Sequence, residues 1–205
     1  MMENSGNDFA KLLAEARACT RCAGFLPNPP KPILRGLPSA KLLIVGQAPG
    51  RRVYETGIPW NDPSGDRLRL WLGMSREEFY DETRIAIIPA GLCYPGTKDG
   101  ADLPPRPECA PLWHPRLRAV LSQIQLTLLI GRHAQAYYLG ALAKSTLAET
   151  VRSAREYLPD FFPLPHPSPR NVRWFKTHPW FEEEIVPEMR KRVAAVLGPP
   201  MAAVH

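Results

Sequence analysis

No apolar run in this 205-residue chain approaches the length of a membrane span, for which about 18 residues are needed. Runs such as Leu42-Leu43-Ile44-Val45 have the length of a strand. The segment from Met1 to Ala10 is polar and lacks a basic stretch followed by an apolar core, so it predicts no secretory signal and a cytosolic protein. Internal repeats and a linker are lacking as well, and residues 1–205 read as one domain. The Gly46-Gln47-Ala48-Pro49-Gly50 stretch has neither the Gly-Lys-Ser/Thr ending of a nucleotide-hydrolysing loop nor the glycine spacing of a dinucleotide site, so both activities fit poorly. With 44% hydrophobic residues, the composition is that of a globular core rather than a disordered chain.

Cysteine is scarce: there are four. Cys19 and Cys22 form a C-x2-C pair, and Cys93 and Cys109 bracket a proline-rich stretch. Four thiolates can close one metal site, and soft ligands of this kind select zinc or an iron–sulfur cluster. Two disulfides, or separate buried thiols, are the other readings, and a reducing cytosol disfavours the first. A net charge of +6 points to an anionic partner such as nucleic acid, although a mildly basic protein with no such role carries the same charge.

Four short β-branched or leucine-rich runs, Leu42 to Val45, Ile85 to Ile88, Leu126 to Ile130 and Phe161 to Leu164, predict buried parallel strands. Helices are expected over Asp66 to Leu72 (capped by Ser64), Cys109 to Ile124, Ala134 to Leu139 and Leu147 to Tyr157. A further helix should run from about Phe181 to a stop at Gly198, Pro199 and Pro200, leaving a short tail. The expected fold is an α/β, three-layer α/β/α sandwich around a four-stranded parallel sheet. Such sheets bind ligands beyond the carboxyl ends of their strands. Gly46 to Gly50 lies there, as does His166-Pro167-Ser168-Pro169-Arg170-Asn171.

The glycines of the first loop suit a backbone cradle for an anion, or simply a strand-to-helix turn. His166 is flanked by Pro165 and Pro167, which fix its backbone, and it reads as a catalytic group or as a packed histidine. Ser168, Arg170 and Asn171 add polar and cationic reach suited to phosphate or base contacts.

Taken together, the two loops, Gly57-Ile58-Pro59-Trp60, Ser64-Gly65 and the four cysteines resemble the uracil-DNA glycosylase superfamily, in particular its iron–sulfur branch, family 4. The histidine loop is similar to that of the single-strand-selective branch. The resemblance runs from about Cys19 to Leu197. It implies a monomeric enzyme, cytoplasmic and nucleoid-associated, that flips uracil out of DNA and hydrolyses its N-glycosidic bond. It also implies a structural [4Fe–4S] cluster on Cys19, Cys22, Cys93 and Cys109. His166 would donate to the departing pyrimidine, with the amides of Gln47 and Ala48 assisting, and Trp60 would stack on the base. Arg170, Ser168 and Asn171 would contact DNA, and Arg51, Arg52, Arg67 and Arg69 suit phosphates.

The chain departs from the family pattern at three places. Gln47 stands where glutamate is usual, Val53 stands near a second acidic position, and Pro89-Ala90-Gly91 replaces the asparagine that reads the base edge. Asp62 and Asn61 are the favoured substitutes, and Glu55 is a weaker one. Alternatives are a glycosylase for another deaminated base, a non-catalytic binder of damaged or abasic DNA, and a zinc-stapled protein acting on RNA or nucleosides.

Overall fold

The computed structural model describes residues 2–198. Six strands and nine α-helices follow in chain order among the described residues: α1 (Met2–Arg17), β1 (Leu42–Val45), α2 (Arg51–Thr56), α3 (Pro63–Leu72), α4 (Arg76–Phe79), β2 (Ile85–Ile87), β3 (Thr97–Lys98), β4 (Ala101–Asp102), α5 (Cys109–Val120), β5 (Leu126–Ile130), α6 (Arg132–Leu139), α7 (Leu147–Arg152), β6 (Phe161–Leu164), α8 (Val172–Thr177) and α9 (Val186–Leu197). The main sheet has the order β2-β1-β5-β6 with every pairing parallel. The segment before β1 adds an antiparallel bridge from Arg35 to Ile87 on the outer side of β2.

Both faces of the sheet are covered, which is why its strands read as continuous apolar runs rather than as alternating ones. Leu42, Ile44, Leu128 and Phe162 pack on one side with Leu68 and Trp71 of α3, Phe79 of α4, Val151 of α7 and Met189 of α9. Leu43, Val45 and Leu129 pack on the other with Phe9 of α1, Trp113 and Leu117 of α5 and Leu139 of α6. The three-layer α/β/α sandwich is therefore the fold of this chain.

The boundaries show where side chains overrule the pattern. Helix α3 opens at Asp62 rather than Ser64: the Asp62 carboxylate accepts from the Gly65 N–H at 2.8 Å, and Pro63 occupies the first helical position, where its missing N–H costs nothing. Helix α5 stops at Val120, with Leu121 leaving helical geometry. The stretch expected as one helix from Leu147 to Tyr157 is α7 followed by a separate 3-10 turn, Ala154–Tyr157. A π-helical turn, Phe181–Ile185, leads into α9, which Gly198 ends at φ 78°. Pro199, Pro200 and the tail lie outside the described residues.

Candidate active site

The loops after β1, β2 and β6 meet at the carboxyl edge of the sheet around a cavity of about 270 Å³. The first two run side by side, with Ala90 N–H donating to the Gly46 carbonyl and Gly91 N–H to that of Gln47, both at 2.9 Å. Gln47 and Ala48 line the cavity, and their amides have no protein partner among the described residues. The Gln47 side chain turns away, its Nε2 donating to the Leu103 carbonyl at 3.1 Å.

Trp60 occupies an expensive backbone conformation, φ 57°, which a bulky residue keeps only where its surroundings hold it. Here Arg69, itself buried, donates to the Trp60 carbonyl at 3.3 Å, and Tyr80 donates to the preceding Pro59 carbonyl at 2.7 Å. Gly65 leaves room for that carbonyl, since a Cβ there would stand 1.7 Å from it. The indole lies under Gly46, where a Cβ would come within 2.7 Å of the ring. Trp60 thus belongs to the core and also lines the cavity, with its ring 5.6 Å from the imidazole of His166.

His166 is held from both ends of its loop. The Ser168 N–H donates to its Nδ1 at 3.2 Å, and the Asn171 side-chain amide donates to its carbonyl at 2.8 Å. Burial pushes the imidazole pKa below its ordinary value, and the charges of Asp62 and Asp102 oppose that shift. The ring is therefore neutral at pH 7. With Nδ1 accepting, its one proton sits on Nε2, which has no protein partner among the described residues. The structure has built a neutral N–H donor at the cavity.

Two carboxylates line the cavity, Asp62 and Asp102. The first caps α3. The second, which sequence reasoning missed, is carried by the β3–β4 hairpin inside the loop between Cys93 and Cys109. A signal was present: Asp99-Gly100 is a typical two-residue hairpin turn, and both residues have positive φ here. Ser168 and Arg170 also line the cavity, and they continue with Arg132 and Asn171 into an adjoining groove of about 390 Å³.

The remaining candidates are not brought to the cavity. Asn61 accepts from Arg76 at 3.0 Å and does not line the cavity, so its placement does not favour base reading. Arg51, Arg52 and Glu55 are exposed on α2. Arg69 is committed to Trp60 and Asp66, and Arg67 lies over the Phe175 ring. Behind the cavity, the lining residue Pro89 has its carbonyl bonded at 3.1 Å to Nε2 of His114, whose Nδ1 pairs with the Tyr138 hydroxyl at 2.7 Å. Burial pushes the His114 pKa down to about 4.

All four cysteines line one small pocket together with Arg106 and Trp113, and none is in a disulfide. The Cys109 sulfur accepts from the Leu92 N–H at 3.3 Å. Burial first, and the neighbouring cysteines with it, push the Cys93 thiol up to about 11 and that of Cys109 to about 12. Raised in this way, the free Cys93 and Cys109 thiols are protonated at neutral pH, and a bound cation is what would draw them into thiolates. No group of three or more His, Cys, Asp or Glu side chains among the described residues is arranged to hold a single metal ion. Four cysteines around one pocket are the kind of donor set that an iron–sulfur cluster, rather than a single ion, takes.

A family model for the uracil DNA glycosylase superfamily matches residues 35–190, about three quarters of the chain. The chain belongs to that superfamily. Among solved structures it is similar to the solution NMR structure of a "putative Uracil DNA glycosylase from Methanosarcina acetivorans", at 16% identity and a TM-score of 0.47, covering 78% of this chain and 97% of that one.

Proposed function

We propose that this member of the superfamily is a DNA glycosylase that removes uracil from DNA. The observation that carries the reading is the neutral Nε2–H of His166 beside the Trp60 indole, in a cavity at the carboxyl edge of the sheet. Breaking the C1′–N1 bond leaves negative charge on the pyrimidine, delocalised onto O2, and a sugar with oxocarbenium character. A fixed neutral donor at O2 stabilises the anion as it forms, and the free amides of Gln47 and Ala48 supplement it. The Trp60 face receives the flipped base. Arg170 and Arg132, on the adjoining groove, supply phosphate contacts for the strand.

Cys19, Cys22, Cys93 and Cys109 are the residues that would hold a [4Fe–4S] cluster. When bound, the cluster supplies a structural tie between the segment after α1 and the loop following β2. The thiolates, once coordinated, no longer repel one another.

The test is a single-turnover assay on single- and double-stranded oligonucleotides containing uracil, hypoxanthine or xanthine. The expected outcome is uracil release. Release of another deaminated base alone would reassign the substrate. Binding to abasic DNA without any cleavage would favour a non-catalytic binder, the reading suggested by the lack of a carboxylate in the Gly46–Gly50 loop.

A further inference from the structure

The carboxylate missing from the Gly46–Gly50 loop has a counterpart in space. Asp102 reaches the cavity from the β3–β4 hairpin, and Asp62 reaches it from the start of α3. A Cβ added to Gly50 would lie 3.4 Å from Oδ2 of Asp102 and 4.0 Å from Oδ2 of Asp62, so the two carboxylates converge on the bare backbone at the end of that loop. Asp62 has its Oδ1 committed to the helix cap. Asp102 has its Oδ1 on the Thr97 hydroxyl at 3.2 Å, and that hydroxyl shares a 2.5 Å hydrogen bond with Tyr94. One oxygen of Asp102 is thus oriented by the hairpin and the other is left facing the site.

The hairpin is also fastened to the loop it serves. Gln47 donates from Nε2 to the carbonyl of Leu103, the residue after Asp102, and the Leu103 N–H closes back on the Gly96 carbonyl at 2.9 Å. The side chain that cannot act as a base thus fixes the position of one that can.

We infer that Asp102 is a catalytic carboxylate of this site and that Gln47 is its positioning residue. The inference rests on the glycosylase reading above. As the C1′–N1 bond breaks, its electron pair leaves with the base. The oxygen of a water molecule bonds to C1′, and the proton it sheds passes to Asp102 and from there to the anionic base or to solvent. The products are the free base and an abasic sugar bearing a 1′-hydroxyl. Before water adds, the same carboxylate faces the cationic sugar and stabilises it.

The experiment compares wild type, Asp102→Asn, Gln47→Ala, the double variant and Asp99→Asn in single-turnover release from a uracil-containing oligonucleotide. Melting temperature and affinity for the same oligonucleotide lacking uracil are measured alongside. Asparagine keeps an acceptor for Thr97, so the hairpin should survive. We expect Asp102→Asn to be slower by about 100-fold, in the range of a lost general base, with melting temperature unchanged and DNA affinity equal or tighter. Gln47→Ala should be slower by about 10-fold, and the double variant no slower than Asp102→Asn, because two residues acting as one unit are not additive. Asp99→Asn, at the hairpin tip, should match wild type. An active wild type with Asp102→Asn within 3-fold of it overturns the inference alone, as does a loss of rate accompanied by an equal loss of stability. A wild type that releases no uracil, hypoxanthine or xanthine overturns the glycosylase reading and this inference with it.

Discussion

Acid should weaken this protein from about pH 6.5 downward, because of His114. The imidazole is buried between the Pro89 carbonyl and the Tyr138 hydroxyl, with its pKa pushed down from 6.5 to about 4. Below pH 6.5 the unfolded chain takes up a proton here and the folded chain does not, so stability falls with pH until the folded value near 4 is passed. Between pH 7 and pH 5 this single group should cost about 2 kcal/mol of folding free energy. The carboxylates with shifted values, Glu15, Glu108, Glu156 and Glu188, are all held below their ordinary range and titrate later. Urea unfolding followed by tryptophan fluorescence at pH 7, 6 and 5 gives the slope. His114→Gln, which keeps a donor for Pro89 and an acceptor for Tyr138 without a titrating group, should be less stable at pH 7 but lose most of the pH dependence. The residual slope belongs to His166 and His133, whose depressed values act in the same direction. A wild type whose stability changes by less than about 0.5 kcal/mol from pH 7 to pH 5, or a glutamine variant with an undiminished slope, would refute the argument.

Three further outcomes are expected. His166→Ala should slow base release by about 100- to 1,000-fold while DNA affinity stays within a few-fold, since a donor to the developing anion acts in the transition state; single-turnover rates beside binding isotherms check this. Asp62→Ala should lower stability by about 1 kcal/mol through the lost cap, whereas Asp62→Asn keeps a cap of equal quality and removes only the charge, so slower chemistry at an unchanged melting temperature in the asparagine variant would isolate an electrostatic role. Anaerobically purified protein should be brown with four irons per chain, and Cys109→Ser should lose both the colour and several degrees of melting temperature; stoichiometric zinc without iron would contradict the cluster.

The strands were legible because a sheet covered on both faces turns burial into uninterrupted runs, and Leu126 to Ile130 appears at its expected limits. The His166 loop was legible because prolines leave few conformations open. What escaped lay where short polar stretches carry the structure. Helix α2 buries only Val53, too little to show a period. Strands β3 and β4 are exposed pairs of residues without an apolar face, so the loop was read for its prolines and the Asp99-Gly100 turn was passed over. Asp62 was read as a substitute for the missing carboxylate and Ser64 as the cap, and the structure places the one Asp62 side chain at both the helix start and the cavity. Asn61 shows the limit of proximity in sequence: it follows Trp60 directly, yet Arg76 holds its carbonyl away from the cavity.

The ends of the main sheet bear on how this protein meets other chains. A bare strand at a sheet margin is a template on which foreign strands assemble. At one margin, the amide and carbonyl of Ile87 in β2 are both taken by Arg35, at 2.8 and 2.9 Å. At the other, β6 contains Pro163, which has no N–H to offer. One side is occupied and the other interrupted, so growth of the sheet by recruitment is blocked at both ends. A concentrated solution of folded protein should accordingly resist the strand-to-strand association that leads to fibrils, and that resistance should weaken if Pro163 is replaced by valine.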